Sequence, residues 1–78
     1  MTVYLLYFWF LDGDGYLVAQ VHEIYRNLSD ASKTAEAVSD EHDVTVYYPD
    51  DSIPTDDNWS RDYSKNIQFI SINKYDVK

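Results

Sequence analysis

Cysteine is absent, so neither a disulfide nor a thiolate metal centre can hold this chain together. Glycine and proline number two each, too few for a disordered or low-complexity chain. Basic residues are scarce: six Lys and Arg scattered over 78 positions cannot neutralise a track of phosphates. The longest apolar run, residues 2–10, falls far short of the about 20 residues a membrane helix needs. Catalytic signatures are missing too, with neither a G-x-S-x-G elbow nor a phosphate loop. His22 and His42 belong to no nucleophile motif. These absences lead us to expect a protein that is not an enzyme, needs no cofactor or metal, and binds neither nucleic acid nor membrane. The apolar run has no basic segment before it and is followed by Asp-Gly-Asp-Gly rather than a cleavage site, so a cytoplasmic location is expected.

What the chain does have is aromatic side chains, thirteen of them, and negative charge. At 78 residues it is expected to be one domain, 1–78, near the lower limit for a self-sufficient core, so aromatic burial must supply its stability. The run Thr2-Val-Tyr-Leu-Leu-Tyr-Phe-Trp-Phe10 organises the rest. Its aromatics suit a pleated strand, with Val3, Leu5, Tyr7 and Trp9 on one face and Tyr4, Leu6, Phe8 and Phe10 on the other. Two apolar faces need two covers, of which the chain's own helix can be one.

Asp12-Gly-Asp-Gly15 reads as a hairpin turn. It also resembles the middle of an EF-hand loop, but Phe10 and Val21 would then stand at the end-ligand positions, and neither can ligate. Residues 16–26 fit either a strand or a helical stripe; the turn before them and the β-branched Val18, Val21 and Ile24 favour a strand antiparallel to the first. Residues 30–41 form the main helix, with Ser29 or Asp30 as cap and small inward residues Ala31, Thr34, Ala35 and Val38. Residues 43–48 read as a strand stopped by Pro49, and 67–72 as the last strand before a polar tail, 73–78. Between these two strands, Thr55 and the acids after it suggest a short helix over 56–63. The expected fold is α+β, a four-stranded antiparallel sheet in chain order β-β-α-β-β with one main helix on one face.

The charge is regional. Residues 30–57 hold nine carboxylates against Lys33 alone, a local −8 that equals the net charge of the whole chain. A field of one sign repels nucleic acid and attracts basic proteins, although small proteins are also acidic simply to stay soluble. Asp50-Asp51 and Asp56-Asp57 could hold a hard cation, but a solvated acidic loop is the commoner use. The connection 49–65 sets Asp50, Asp51, Asp56, Asp57 and Asp62 around Ile53, Trp59 and Tyr63. Aromatic anchors ringed by charge suit a protein interface; the same Trp59 and Tyr63 suit a core equally well.

In size, acidity, α+β pattern and lack of catalytic motifs, the chain is similar to the small phage-encoded inhibitors of host defence, the anti-CRISPR proteins above all. The resemblance implies an inhibitor, in some cases a DNA mimic, that occupies the basic channel of a nucleic-acid-binding protein such as a CRISPR effector in the host cytoplasm. Carried onto this chain, the mimic surface would comprise Glu36, Asp40, Glu41, Asp50, Asp51, Asp56 and Asp57, with Trp59, Asp62 and Tyr63 beside it. The rival expectation is a homo-oligomeric structural or accessory protein, a homodimer through the hairpin or an edge strand, whose acidity serves solubility alone.

Overall fold

The computed structural model describes residues 1–54 and 61–78. Its elements are β1 (Thr2–Leu11), β2 (Leu17–Tyr25), α1 (Leu28–His42), β3 (Val46–Tyr47) and β4 (Phe69–Asp76). The expected strand at 16–26 is present over Leu17–Tyr25, and the first two strands form the expected antiparallel hairpin. The Asp12 carboxylate holds its turn, accepting the backbone N–H groups of Asp14 and Tyr16 at 2.9 Å each. Gly15 sits at φ 85°, where a side chain would be strained. The register slips between Leu6, opposite Glu23, and Tyr7, opposite Val21. His22 is therefore the extra residue of a bulge, and its ring stacks on Phe8 at 4.5 Å.

In space the strands run β2-β1-β4-β3. β1 is antiparallel to both β2 and β4, but β3 is parallel to β4. The sheet is mixed, which corrects the wholly antiparallel expectation, and its spatial order is not the chain order. The reason lies in α1, which carries the chain from β2 at one edge to β3 at the other. A parallel pair cannot be joined by a tight turn and needs a crossover of a dozen or more residues. The long connection between Tyr47 and Phe69 supplies that length, so its size follows first from topology.

Three boundaries also differ. β3 keeps only two residues of the expected 43–48. β4 starts at Phe69 rather than 67 and runs through most of the expected polar tail, pairing Asn73 to Asp76 with Leu5 to Thr2. Its polar residues find partners there: Thr2 donates its hydroxyl to Asp76 at 2.6 Å. The helix begins two residues earlier than expected, with Asn27 at the N-cap in place of Ser29 or Asp30. The Asn27 side chain donates to Asp30 instead of accepting a helix N–H. Asp43, in the left-handed region at φ 53°, closes the other end.

The core lies between α1 and the even-numbered face of the sheet. Leu6, Ala31, Ala35, Ile70 and Ile72 are buried there, with Tyr4, Phe8, Phe10, Val38 and Val46 packed around them. Ala31 and Ala35 carry only methyl groups, which lets the helix lie close on the strands, as their spacing predicts. On the other face Trp9 stacks on Phe69 at 5.2 Å and donates its indole N–H to Ser71 at 2.9 Å.

Candidate protein-binding surface

The expected acidic residues fall in two places. Glu36 and Asp40 are four residues apart on α1 and share one side of it; Glu41 follows, and all three are exposed. Asp50 and Asp51 sit in the turn directly after β3, also exposed. Tyr48 joins the two groups. Its hydroxyl donates to Glu36 Oε1 at 2.6 Å, and its backbone N–H donates to Asp51 Oδ2 at 2.8 Å. The single phenolic proton being given to Glu36, Ser32 donates its own hydroxyl to the Tyr48 oxygen at 2.8 Å. The Glu36 hydrogen bond, foremost, holds the Tyr48 phenol above its ordinary pKa, with partial burial and the charges of Glu36 and Asp51 acting the same way. A helix carboxylate and a loop carboxylate are thereby fixed at one edge of the molecule.

Little basic charge offsets them. Lys33 is exposed on the helix. Lys65 reaches the helix end, where its ammonium donates to the Asp43 carbonyl at 2.5 Å and lies 3.9 Å from the Asp43 carboxylate. Among the described residues no ion pair reaches Glu36, Asp40, Glu41, Asp50 or Asp51, so their mutual repulsion is not offset there by a bound cationic side chain.

Asp62 and Tyr63 stand apart from this group. Asp62 Oδ1 accepts both the backbone N–H of Ser64 at 3.0 Å and its hydroxyl at 2.5 Å. Those two bonds hold the Asp62 carboxyl below the usual carboxylate range. Tyr63 is 75% exposed and stands beside Gly15 of the hairpin turn. With Phe10, Leu11, Asp12, Lys65 and Asn66 it lines an open cleft of about 560 Å³. The described part of the expected short helix, residues 61–63, is not helical, and Tyr63 enters a turn. Asp56, Asp57 and Trp59 lie outside the described residues.

One organising residue escaped the sequence reading. Gln68 is buried, 7% exposed, immediately before β4. Its side-chain oxygen accepts the Asp62 N–H at 2.9 Å, and its amide donates to the carbonyls of Asp62 at 2.7 Å and Lys65 at 3.0 Å. Its backbone N–H donates to the Trp9 carbonyl at 2.7 Å. Gln68 thus fastens the end of the crossover to the end of β1. The only signal in the sequence is an amide among apolar neighbours, which says that it must find partners but not which.

Among the described residues no group of three or more His, Asp or Glu is placed to hold a metal ion. Asp12, at the centre of the EF-hand-like stretch, uses one carboxylate oxygen for backbone amides. Among the described residues no helix is long and apolar enough to cross a membrane. Comparison with protein-family models, curated proteins and solved structures gave no match.

Proposed function

We propose that this chain is a non-enzymatic acidic protein-binding module that inhibits a basic, nucleic-acid-binding protein in the host cytoplasm, as anti-CRISPR inhibitors do. The observation that carries the reading is the junction at Tyr48, which sets Glu36 and Asp51 on one edge, with Asp40, Glu41 and Asp50 nearby in the chain. Carboxylates held by a rigid sheet and helix lose little freedom on binding, which favours association with a basic channel. In the mimic form of the reading these carboxylates stand where DNA phosphates would.

Binding to a CRISPR effector, measured at low and high salt, tests it. Asp40, Glu41 and Asp50 are the residues to reverse, because Asp51 and Glu36 also hold the local structure through Tyr48. The affinity should fall steeply with salt. The double variant Asp40→Lys and Asp50→Lys should bind about tenfold or more weakly, and short duplex DNA should compete. An affinity that is flat with salt and unmoved by these reversals would leave the acidic edge as a solvated surface only.

A further inference from the structure

The open cleft between the hairpin turn and the end of the crossover combines three kinds of surface. Its floor is apolar, made by Phe10 and Leu11, both half-buried. Its wall is Tyr63, and among the described residues no large apolar side chain is more exposed. The Tyr63 ring rests against the turn, with its hydroxyl 3.5 Å and its Cε1 3.9 Å from where a Cβ on Gly15 would stand. The charge around the cleft is negative. Asp12 gives Oδ1 to the N–H groups of Asp14 and Tyr16, and among the described residues its Oδ2 has no hydrogen-bond partner. Asp14 is exposed in the same turn, and Asp62 is exposed next to Tyr63. Lys65 is the one basic residue among the described lining, and its ammonium is drawn to the Asp43 carbonyl and carboxylate at the end of α1.

We propose that this cleft binds an arginine side chain carried by an extended segment of a partner protein. A long basic side chain is apolar along its stem and charged at its tip, which matches a floor of Phe10 and Leu11 rimmed by Tyr63 and Asp12. A guanidinium is planar and is attracted to the face of a phenol ring, so it can stack on Tyr63 while an N–H meets Asp12 Oδ2. Charge complementarity fixes the sign of the ligand: an acidic or phosphorylated segment would meet Asp12, Asp14 and Asp62 together. A neutral apolar ligand would cover the Asp12 carboxylate without giving it a partner. The volume of about 560 Å³ exceeds one side chain and suits a small ligand, so the backbone flanking the arginine enters too, with the Asn66 amide able to donate to it or accept from it. This inference goes beyond the acidic edge, from which Tyr63 stands apart, and shares with that reading only the basic character of the partner.

Nuclear magnetic resonance titration of the isotope-labelled full chain with the capped peptide acetyl-Gly-Arg-Gly-amide tests it. So small a probe should bind with a Kd on the order of millimolar. The amides of Leu11, Gly13, Gly15 and Asn66 should shift and saturate, and those of Asp40, Glu41 and Asp50 should move less. The same peptide with uncharged citrulline in place of arginine should bind about fivefold or more weakly. Tyr63→Leu keeps an apolar side chain without the aromatic face, and Asp12→Asn keeps the oxygen that accepts the turn amides without the charge; each should raise the Kd about threefold. No saturable shift at the cleft overturns the proposal, and so does a citrulline peptide that binds as well as the arginine one. Equal shifts at the cleft and on the acidic edge overturn it too, because they show attraction to net charge rather than a site. Should Asp12→Asn disturb the hairpin, seen in its Gly13 and Gly15 amides before peptide is added, Tyr63→Leu decides, and an unchanged Kd there refutes the proposal. No partner protein is present, so failure here leaves the salt and reversal test of the acidic edge untouched, and failure there leaves this one untouched.

Discussion

Leu6→Ala and Leu5→Ala, two adjacent truncations in one strand, should have very different costs. Leu6 is fully buried between α1 and the sheet, against Ala31, Ala35, Ile70 and Ile72. Removing three carbons there forfeits about 2.4 kcal/mol of transfer free energy at about 0.8 kcal/mol per buried group. The space cannot close fully, because Ala31 and Ala35 have no atoms to extend into it and β1 is pinned by hydrogen bonds to strands on both sides. A residual void of about 30 Å³ adds about 0.7 kcal/mol at about 24 cal/mol per Å³. The sum, about 3 kcal/mol, corresponds to a fall in Tm of about 12–24 °C for a domain of this size. Leu5 points to the opposite face and is only partly buried, so its truncation should cost about 1 kcal/mol. Thermal and urea unfolding by circular dichroism at low protein concentration would measure both. A Leu6→Ala protein that loses under about 1 kcal/mol, or a Leu5→Ala protein that loses more than Leu6→Ala, would refute the assignment of the helix to the even-numbered face.

Replacing Gln68 by Leu should free the Asp62 N–H and the Asp62 and Lys65 carbonyls, costing about 1–3 kcal/mol and speeding amide exchange at Asp62 far more than at Leu6; equal protection of Asp62 in both proteins would show that Gln68 does not hold the crossover. Tyr48 is held above its usual value of 10.0 by its bond to Glu36, so its contribution is complete below about pH 10 and is lost as pH rises through the higher folded value. Tm should therefore fall more steeply above pH 10 in the wild type than in Tyr48→Phe, and parallel alkaline profiles would exclude the linkage.

Local signals in this chain were strong where one segment decides its own structure. The Asp-Gly pairs and alternating apolar residues specify the hairpin, because the turn and both strands are contiguous. Ala31, Thr34, Ala35 and Val38 mark the buried stripe of α1 without reference to anything else. The parallel pairing of β3 and β4 had no such signal. Val46 and Tyr47 look the same whichever way their neighbour runs, and only the span of α1 across the sheet sets the direction. Asn73 to Asp76 looked like a tail because polar residues are read as solvated; their pairing depends on β1, more than sixty positions away. At the candidate surface, the exposure of Glu36, Asp40, Glu41, Asp50 and Asp51 was legible from charge alone. Their junction was not, since Tyr48 meets Glu36 across a change of element. Asp62 and Tyr63 were expected beside that edge by proximity in the chain, but the fold turns them toward the hairpin.

The pairing of β1 with β4 has a consequence for how the protein comes into being. The two strands at the centre of the sheet are the first and the last of its four in chain order, and Val77 donates its backbone N–H to the Met1 carbonyl at 2.7 Å. The hairpin and the helix leave the ribosome with Leu6, Ala31 and Ala35 unable to complete a core, because Ile70 and Ile72 have yet to follow. Completion of the core therefore waits for β4 and is slowed by contacts between remote segments. During that delay the nascent chain exposes an aromatic strand with one unpaired edge, the condition in which aggregation competes best. The dense negative charge of residues 30–57 precedes β4 in the chain, and like charges on neighbouring chains repel one another.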